Sequence, residues 1–494
     1  MEENKELNAE AAAEEVQEKK PQKIKKPERE GTLGMSIVVF LLTAAILMFG
    51  ILGLGLSAHV PLIAAVIIVT LYGRLVLHIS LVDLEKSMLK AMGDIPFLIL
   101  LSIGILIASW VASGTIPYLV YLGLKLISPT WFLAFVVLIC AILSTATGSS
   151  WTTCGTLGVA FIGIAMGLGI PLGMTVGAIV CGAFFGDKQS PISDYAVFAA
   201  GVSKTNIYRH CHYMLYTSGP ALLVSFVIFL VMGFQFSGHT TDMSQIQAII
   251  DGLASTFNFN ISMLIPLVVL AITIVMKMPA THSLILSAVS AILVAIFAQG
   301  ASLGGVLGCL YGGFSIESGS AVVDSICNRG GMTSMVYNMT MLICSLSFGA
   351  VLGRTKVLVI MVNRIANIIR SRFSLIVSTF ASSTVMSFMT GDPFIGGVIP
   401  SNALGDKYEE LDVDRAVLSR TISDAACVQQ PIVPWGVSGV FVVQCFGVPM
   451  SQFFMYYFMG FLTPLFGLIT ALTGIGCPKS QINAEKKAAE AEAK

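Results

Sequence analysis

The sequence predicts an all-α membrane protein built from two inverted repeats of about five spans each, with re-entrant hairpins and broken helices. Three observations predict it: an apolar composition, two polar interruptions that resemble each other, and the placement of the basic residues. Of 494 residues, 55% are hydrophobic and 11% charged, with a mean hydropathy of +0.85. Soluble domains carry roughly 25% charged residues, so this chain is expected to meet lipid along most of its length. Its 28 basic and 28 acidic residues cancel, which leaves no basic field to attract nucleic acid. The ten cysteines are scattered through apolar segments without CxxC spacing and read as buried thiols.

About twenty apolar residues cross the hydrocarbon as a helix. Residues 1–33 lack a signal peptide's apolar core and cleavage site and read as a charged cytoplasmic tail. The first repeat is placed at 35–234, with apolar runs at 35–56, 60–78, 95–112 and 213–233. An external linker follows at 235–259. The second repeat is placed at 260–476, with runs at 260–276, 280–299, 334–352 and 453–475, and a cytoplasmic tail at 477–494. Inside the repeats, 130–200 and 373–446 are apolar but interrupted by Gly, Pro, Ser, Thr and Asp. Backbone that leaves helical geometry at membrane depth must be buried in protein or line a polar cavity.

The interrupted regions resemble each other. "STATGSSW" from Ser144 aligns with "SFMTGDPF" from Ser387, and "QSPI" from Gln189 aligns with "QQPI" from Gln429, at nearly one offset. Upstream, "SGTIPYLV" from Ser113 aligns with "LGRTKVLV" from Leu352. Lys and Arg concentrate on the cytoplasmic side of membranes. With five crossings per repeat and the second repeat inverted, every basic residue falls inside except Lys125 and Arg329, outside, and Lys188, within a break. Both termini are then cytoplasmic. Inverted repeats with interrupted helices are the architecture of secondary transporters, in which half-helix ends and freed backbone groups hold ions.

Each interruption supplies candidates. In "CGAFFGDKQSPISDY" (181–195), Asp187, Ser190 and Asp194 surround Pro191, where a helix must break. An ionisable group inside a span is expensive to bury and normally faces a cavity, although Asp also caps helices. Lys188 reads as a counter-ion for Asp187 or as a snorkelling side chain. Thr147, Ser149 and Ser150 form a polar tip between apolar arms, with hydroxyls hard enough for sodium; the alternative is that they satisfy a turn. Thr390 and Asp392 stand at the repeat-related tip. Asp424 and Gln430 occupy the second broken helix, with Arg420 four residues earlier as the expected i,i+4 partner of Asp424. Asp324 and Arg329 read as a gate or a solvated ion pair. His210 and His212 flank a basic turn and are expected at the cytoplasmic surface.

The segments "TGSSWTTCGTLGVAFIGIAMGLGIP", "GAFFGDKQSPISD", "NRGGMTSM" and "LSRTISDAACVQQPIVPW" resemble the signatures of the NhaC family of Na+/H+ antiporters, within the wider ion transporter superfamily. The resemblance runs from about residue 35 to 475. It implies exchange of Na+ and H+ across a bacterial inner membrane, with no cofactor beyond those ions; the buried carboxylates at the breaks and turns make Asp187 and Asp392 the expected holders of Na+. In some relatives the ions are coupled to an organic anion such as malate or lactate, or to an amino acid. The superfamily resemblance also implies a homodimer. After "SPISD" this chain continues "YAVFAA", so Tyr195 and Phe198 stand where the antiporters carry hydroxyl and amide groups; with the glutamines they would shape a roomier pocket.

Enzyme readings find no support, since the chain holds no P-loop, HExxH or strand-borne GxSxG motif. A channel or simple anchor fits poorly with carboxylates in both halves. The leading expectation is Na+/H+ exchange by alternating access. Exchange of an organic anion or amino acid coupled to those ions is the alternative.

Overall fold

The structure is a computed structural model that describes residues 27–93, 97–237 and 243–484. The expected terminal tails therefore lie largely outside the described residues. All regular structure among the described residues is helical. Among the described residues nine helices are long and apolar enough to cross a membrane, or up to 11 if each bent pair counts as one span. The chain is a multi-pass membrane protein.

The apolar runs read from sequence reappear as helices. Leu33–Ile51, Ile207–Phe236, Ala280–Phe297 and Met332–Arg354 are continuous apolar helices of spanning length. The run at 60–78 becomes the shorter His59–Leu75 helix, and the run at 260–276 becomes Ile261–Val275, bent 96° against Ile246–Thr256. That last helix occupies the expected linker and buries Ile249, Ile250 and Leu253. An amphipathic face at a spacing of three to four residues explains why the connection packs as a helix.

The interrupted regions each form a hairpin followed by a broken helix. In the first, Pro129–Thr147 turns at Gly148 into Ser150–Leu168. Pro at the first helical turn and a left-handed Gly just past the last are favoured boundary residues, and Gly148 has φ +67°. Leu172–Gln189 then ends, and Asp194–Val202 begins across Ser190–Ser193. In the second region, Arg372–Thr390 turns at Gly391 (φ +70°) into Pro393–Glu410. Arg415–Ile422 runs into a π-turn at Ser423–Cys427, tightens to a 3-10 turn at Gln430–Ile432, breaks at 433–436, and resumes as Val437–Phe446.

Small residues set how closely these parts approach. On Leu172–Gln189, Gly182 and Gly186 face the first arm of the hairpin, and a Cβ at Gly186 would stand 2.3 Å from the Thr145 nitrogen. This is a small-xxx-small contact used within the chain, of the kind that lets membrane helices meet backbone to backbone. Gly186→Ala is expected to destabilise the protein by about 1–3 kcal/mol through overpacking. Thermal unfolding of the purified protein should show a lowered midpoint, whereas Gly201→Ala, with nothing within 4 Å of the added carbon, should not.

Candidate ion-binding site

The two hairpin turns are built alike. Thr147 Oγ1 accepts from the Ser149 N–H at 3.2 Å, and Ser149 Oγ caps its helix by accepting from Thr152 N–H at 3.1 Å. At the second turn Thr390 Oγ1 accepts from Asp392 N–H at 3.3 Å, and Asp392 Oδ1 accepts from Phe394 N–H at 2.7 Å. Thr-Gly-Ser and Thr-Gly-Asp therefore solve one local problem, the orphan N–H groups at a helix start. The difference is a full negative charge at Asp392.

Each turn is seated against a break. A Cβ on Gly148 would lie 2.9 Å from the Ile192 carbonyl carbon and the Ser193 nitrogen. Gly391 O accepts from Val437 N–H at 3.0 Å, and a Cβ there would meet Trp435 O at 2.9 Å. The two regions also cross over. Trp151, beside the first turn, stacks on Phe441 of the second broken helix at 4.7 Å. Tyr195, at the start of the first broken helix's second half, donates to Pro393 O at 3.3 Å or Ile422 O at 3.4 Å.

Between these four segments lies a cavity of about 520 Å³. Asp187, Asp194 and Asp392 line it, with Ser149, Ser150, Gln430 and Ser438. Asp187 accepts from Ser150 Oγ at 2.7 Å and from Ser193 Oγ at 2.8 Å, so turn and break together orient this carboxylate. The aromatic wall is Trp151, Phe184, Tyr195 and Phe394. Among the described residues no Lys, Arg or His lines the cavity.

Four helices begin at the wall, with Ser150, Asp194, Pro393 and Val437 as their first residues. A helix N-terminus carries a partial positive charge that favours nearby carboxylates, and a helix C-terminus a partial negative one; Pro129–Thr147 ends at Gly148, which also lines the cavity.

The structure corrects several pairings expected from sequence. Lys188 is not the counter-ion of Asp187 and does not snorkel: its side chain is 0% exposed and donates to Asp424 Oδ1 at 3.0 Å, with Thr463 Oγ1 at 3.5 Å. Successive residues on a helix point about 100° apart, so Asp187 faces the cavity while Lys188 faces the second broken helix. Arg420 is not the partner of Asp424; it donates to Gly476 O at 2.9 Å and Thr470 Oγ1 at 3.2 Å. The π-turn at Ser423–Cys427 shifts the phase on which an i,i+4 pairing relies. Asp324 and Arg329 do not pair. Asp324 Oδ1 accepts from Ser318 N–H at 2.8 Å and Ser318 Oγ at 2.6 Å, and Arg329 donates to Ser325 O at 2.7 Å.

Ser190, Thr147, Thr390 and Asp424 lie at the turns and breaks but not in the cavity wall. His210 is buried rather than surface-facing, with Nδ1 2.6 Å from Ser419 Oγ and Nε2 3.1 Å from Lys188 O. Phe184, Cys427 and Ser438 were missed as lining residues; nothing in their local sequence separates them from ordinary packing residues.

A model of the Na+/H+ antiporter family matches residues 182–475, which include the first break, the second turn and the second broken helix. The chain belongs to this family. It is 35% identical over 93% of its length to all of the Na+/H+ antiporter NhaC of Alkalihalophilus pseudofirmus. A malate-2H+/Na+-lactate antiporter of Bacillus subtilis is 32% identical over 89% of this chain and 94% of its own. The arginine/ornithine antiporter ArcD of Halobacterium salinarum is 34% identical over 91% and 93%.

Removing one partner of a buried pair strands a charge, at about 3–5 kcal/mol. Lys188→Gln is expected to lower thermal stability by that order, and adding Asp424→Asn should restore much of the loss. A double-mutant cycle on unfolding midpoints measures the coupling.

Proposed function

We propose that the protein exchanges Na+ for H+ by alternating access across a bacterial inner membrane, using the cavity between the two turns and the two breaks. The observation that carries this reading is the convergence of Asp187, Asp194 and Asp392 on one cavity at the points where helices are interrupted. Carboxylate and hydroxyl oxygens are hard donors suited to small cations, and a carboxylate binds either a metal ion or a proton but not both. Asp187, oriented by Ser150 and Ser193, is the residue that takes Na+ and H+ in turn. Asp392 supplies a second oxygen set from the other half, and Asp194 adds to the field.

Lys188 and Asp424 hold the two broken helices together while the cavity changes access. Arg420 fastens the second broken helix to the chain near Gly476 and Cys477. Two inverted repeats with both termini cytoplasmic place the turns at comparable depth from opposite sides, as the distribution of basic residues supports. Asp324 and Arg329 keep the 315–333 segment folded through their bonds to Ser318 and Ser325, and Thr147, Thr390 and Ser190 shape the turns and the first break.

A second reading, exchange of an organic solute coupled to the same ions, is supported by the cavity's size and its aromatic wall. It agrees with two relatives being a malate-2H+/Na+-lactate antiporter and an arginine/ornithine antiporter.

Proteoliposomes with a lumenal pH dye provide the test. Added Na+ should drive proton movement, and Asp187→Asn should reduce it by roughly a hundredfold, the scale of losing the exchanging charge. Full activity in Asp187→Asn and Asp392→Asn would overturn the assignment. Because one proton competes with one Na+, the Na+ concentration for half-maximal rate should rise by up to tenfold for each pH unit of acidification, the limit for a single competing proton.

A further inference from the structure

The cavity is larger than the cation exchange requires. A Na+ ion with a few waters occupies on the order of 100–200 Å³ at about 30 Å³ per water, whereas the cavity holds about 520 Å³, within the range typical of organic ligands. Its wall is divided by chemistry. Asp187, Asp194 and Asp392 supply negative charge, and Trp151, Tyr195 and Phe394 supply aromatic surface. Tyr195 and Phe394 pack at 5.6 Å between ring centres, with Phe198 4.9 Å from Phe394. Gln430 is 1% exposed, lines the cavity, and its Oε1 has no hydrogen-bond partner among the described residues.

We infer that this cavity takes an organic ammonium cation on an apolar stem, in exchange with Na+ or H+. The inference rests on the exchanger reading and names the solute of its second form. Two features decide the sign of the ligand. Among the described residues no basic side chain lines the cavity, so the carboxylate of a malate-like anion would enter a site lined by three carboxylates and no cation. An ammonium group instead meets carboxylates and aromatic faces, the combination that recognises organic cations. The stem lies along Phe184, Tyr195 and Phe394.

The test uses proteoliposomes in which Na+-driven proton movement has first been measured. Radiolabelled tyramine and choline form the cationic arm and radiolabelled malate the anionic arm, each under an imposed outward or inward pH gradient, with protein-free liposomes as background. The expected result is protein-dependent uptake of at least one ammonium probe, suppressed by excess Na+, and none of malate. Phe394→Leu should raise the probe concentration for half-maximal uptake by roughly tenfold, the scale of a lost cation–π face. Malate uptake without ammonium uptake overturns the inference. So does Na+-driven proton movement with uptake of neither, a result that leaves Na+/H+ exchange standing. Absence of Na+-driven proton movement alongside ammonium uptake would instead overturn the Na+/H+ reading.

Discussion

Hydrogen-bonding groups freed where a helix stops have no water to turn to inside a bilayer, and everything around the cavity follows from how they are satisfied. Each turn places the start of one helix beside the interruption of another. The Thr147 and Thr390 hydroxyls accept the first N–H of their turns, Ser149 and Asp392 cap the helices that follow, and Gly391 O receives Val437 N–H from the second break. More groups are met by side chains of the packed arms: Ser345 Oγ donates to Thr390 O at 2.9 Å, and Trp435 Nε1 donates to Phe388 O at 2.6 Å. The polar groups that remain turn inward, and the cavity is where they meet.

Charge is partitioned by the same geometry. Asp187 and Lys188 are neighbours in sequence yet serve different partners, because a helix sends successive side chains in different directions. Lys188 is consumed by Asp424, in a pair with side chains 0% and 3% exposed. Such a pair contributes little net stability against an apolar replacement but fixes which surfaces meet, since any other register leaves a buried charge alone. Its neutralisation is local, so the cavity carboxylates keep their field. Had Lys188 faced Asp187, the cavity would have had little attraction for a cation.

Much of this was legible in the sequence. Apolar runs gave the helices, and Gly, Pro and Asp inside them marked the turns and breaks, because those residues have few other reasons to stand in lipid. The likeness of "STATGSSW" to "SFMTGDPF" pointed to two similar turns, and the turns do share hydrogen bonds from Thr, Gly and the capping residue. What sequence could not supply was the partner of each charge. Lys188 and Asp424 stand 236 positions apart, and no local rule joins them. The i,i+4 rule pointed from Arg420 to Asp424 and failed because the helix widens at Ser423–Cys427. Likewise the proximity of Asp324 to Arg329 suggested a pair, where short-range bonds to Ser318 and Ser325 won instead.

The capping residues set the charge of the cavity wall. Four helix starts aimed at one cavity would by themselves attract anions, as helix N-termini do wherever they converge. Asp392 reverses this at its own helix by serving as cap and charge together, where Ser149 at the matching turn is only a cap. Asp194 stands in the first turn of its helix, behind the cap residue Ser193, where a helix start favours a carboxylate, and Asp187 adds a third carboxylate just before the first break. The helix starts thereby favour carboxylates that line the cavity, and in the proposed exchange those carboxylates bind what the helix starts alone would repel. A carboxylate that takes a proton gives up its charge, which is the condition for a proton to displace a cation.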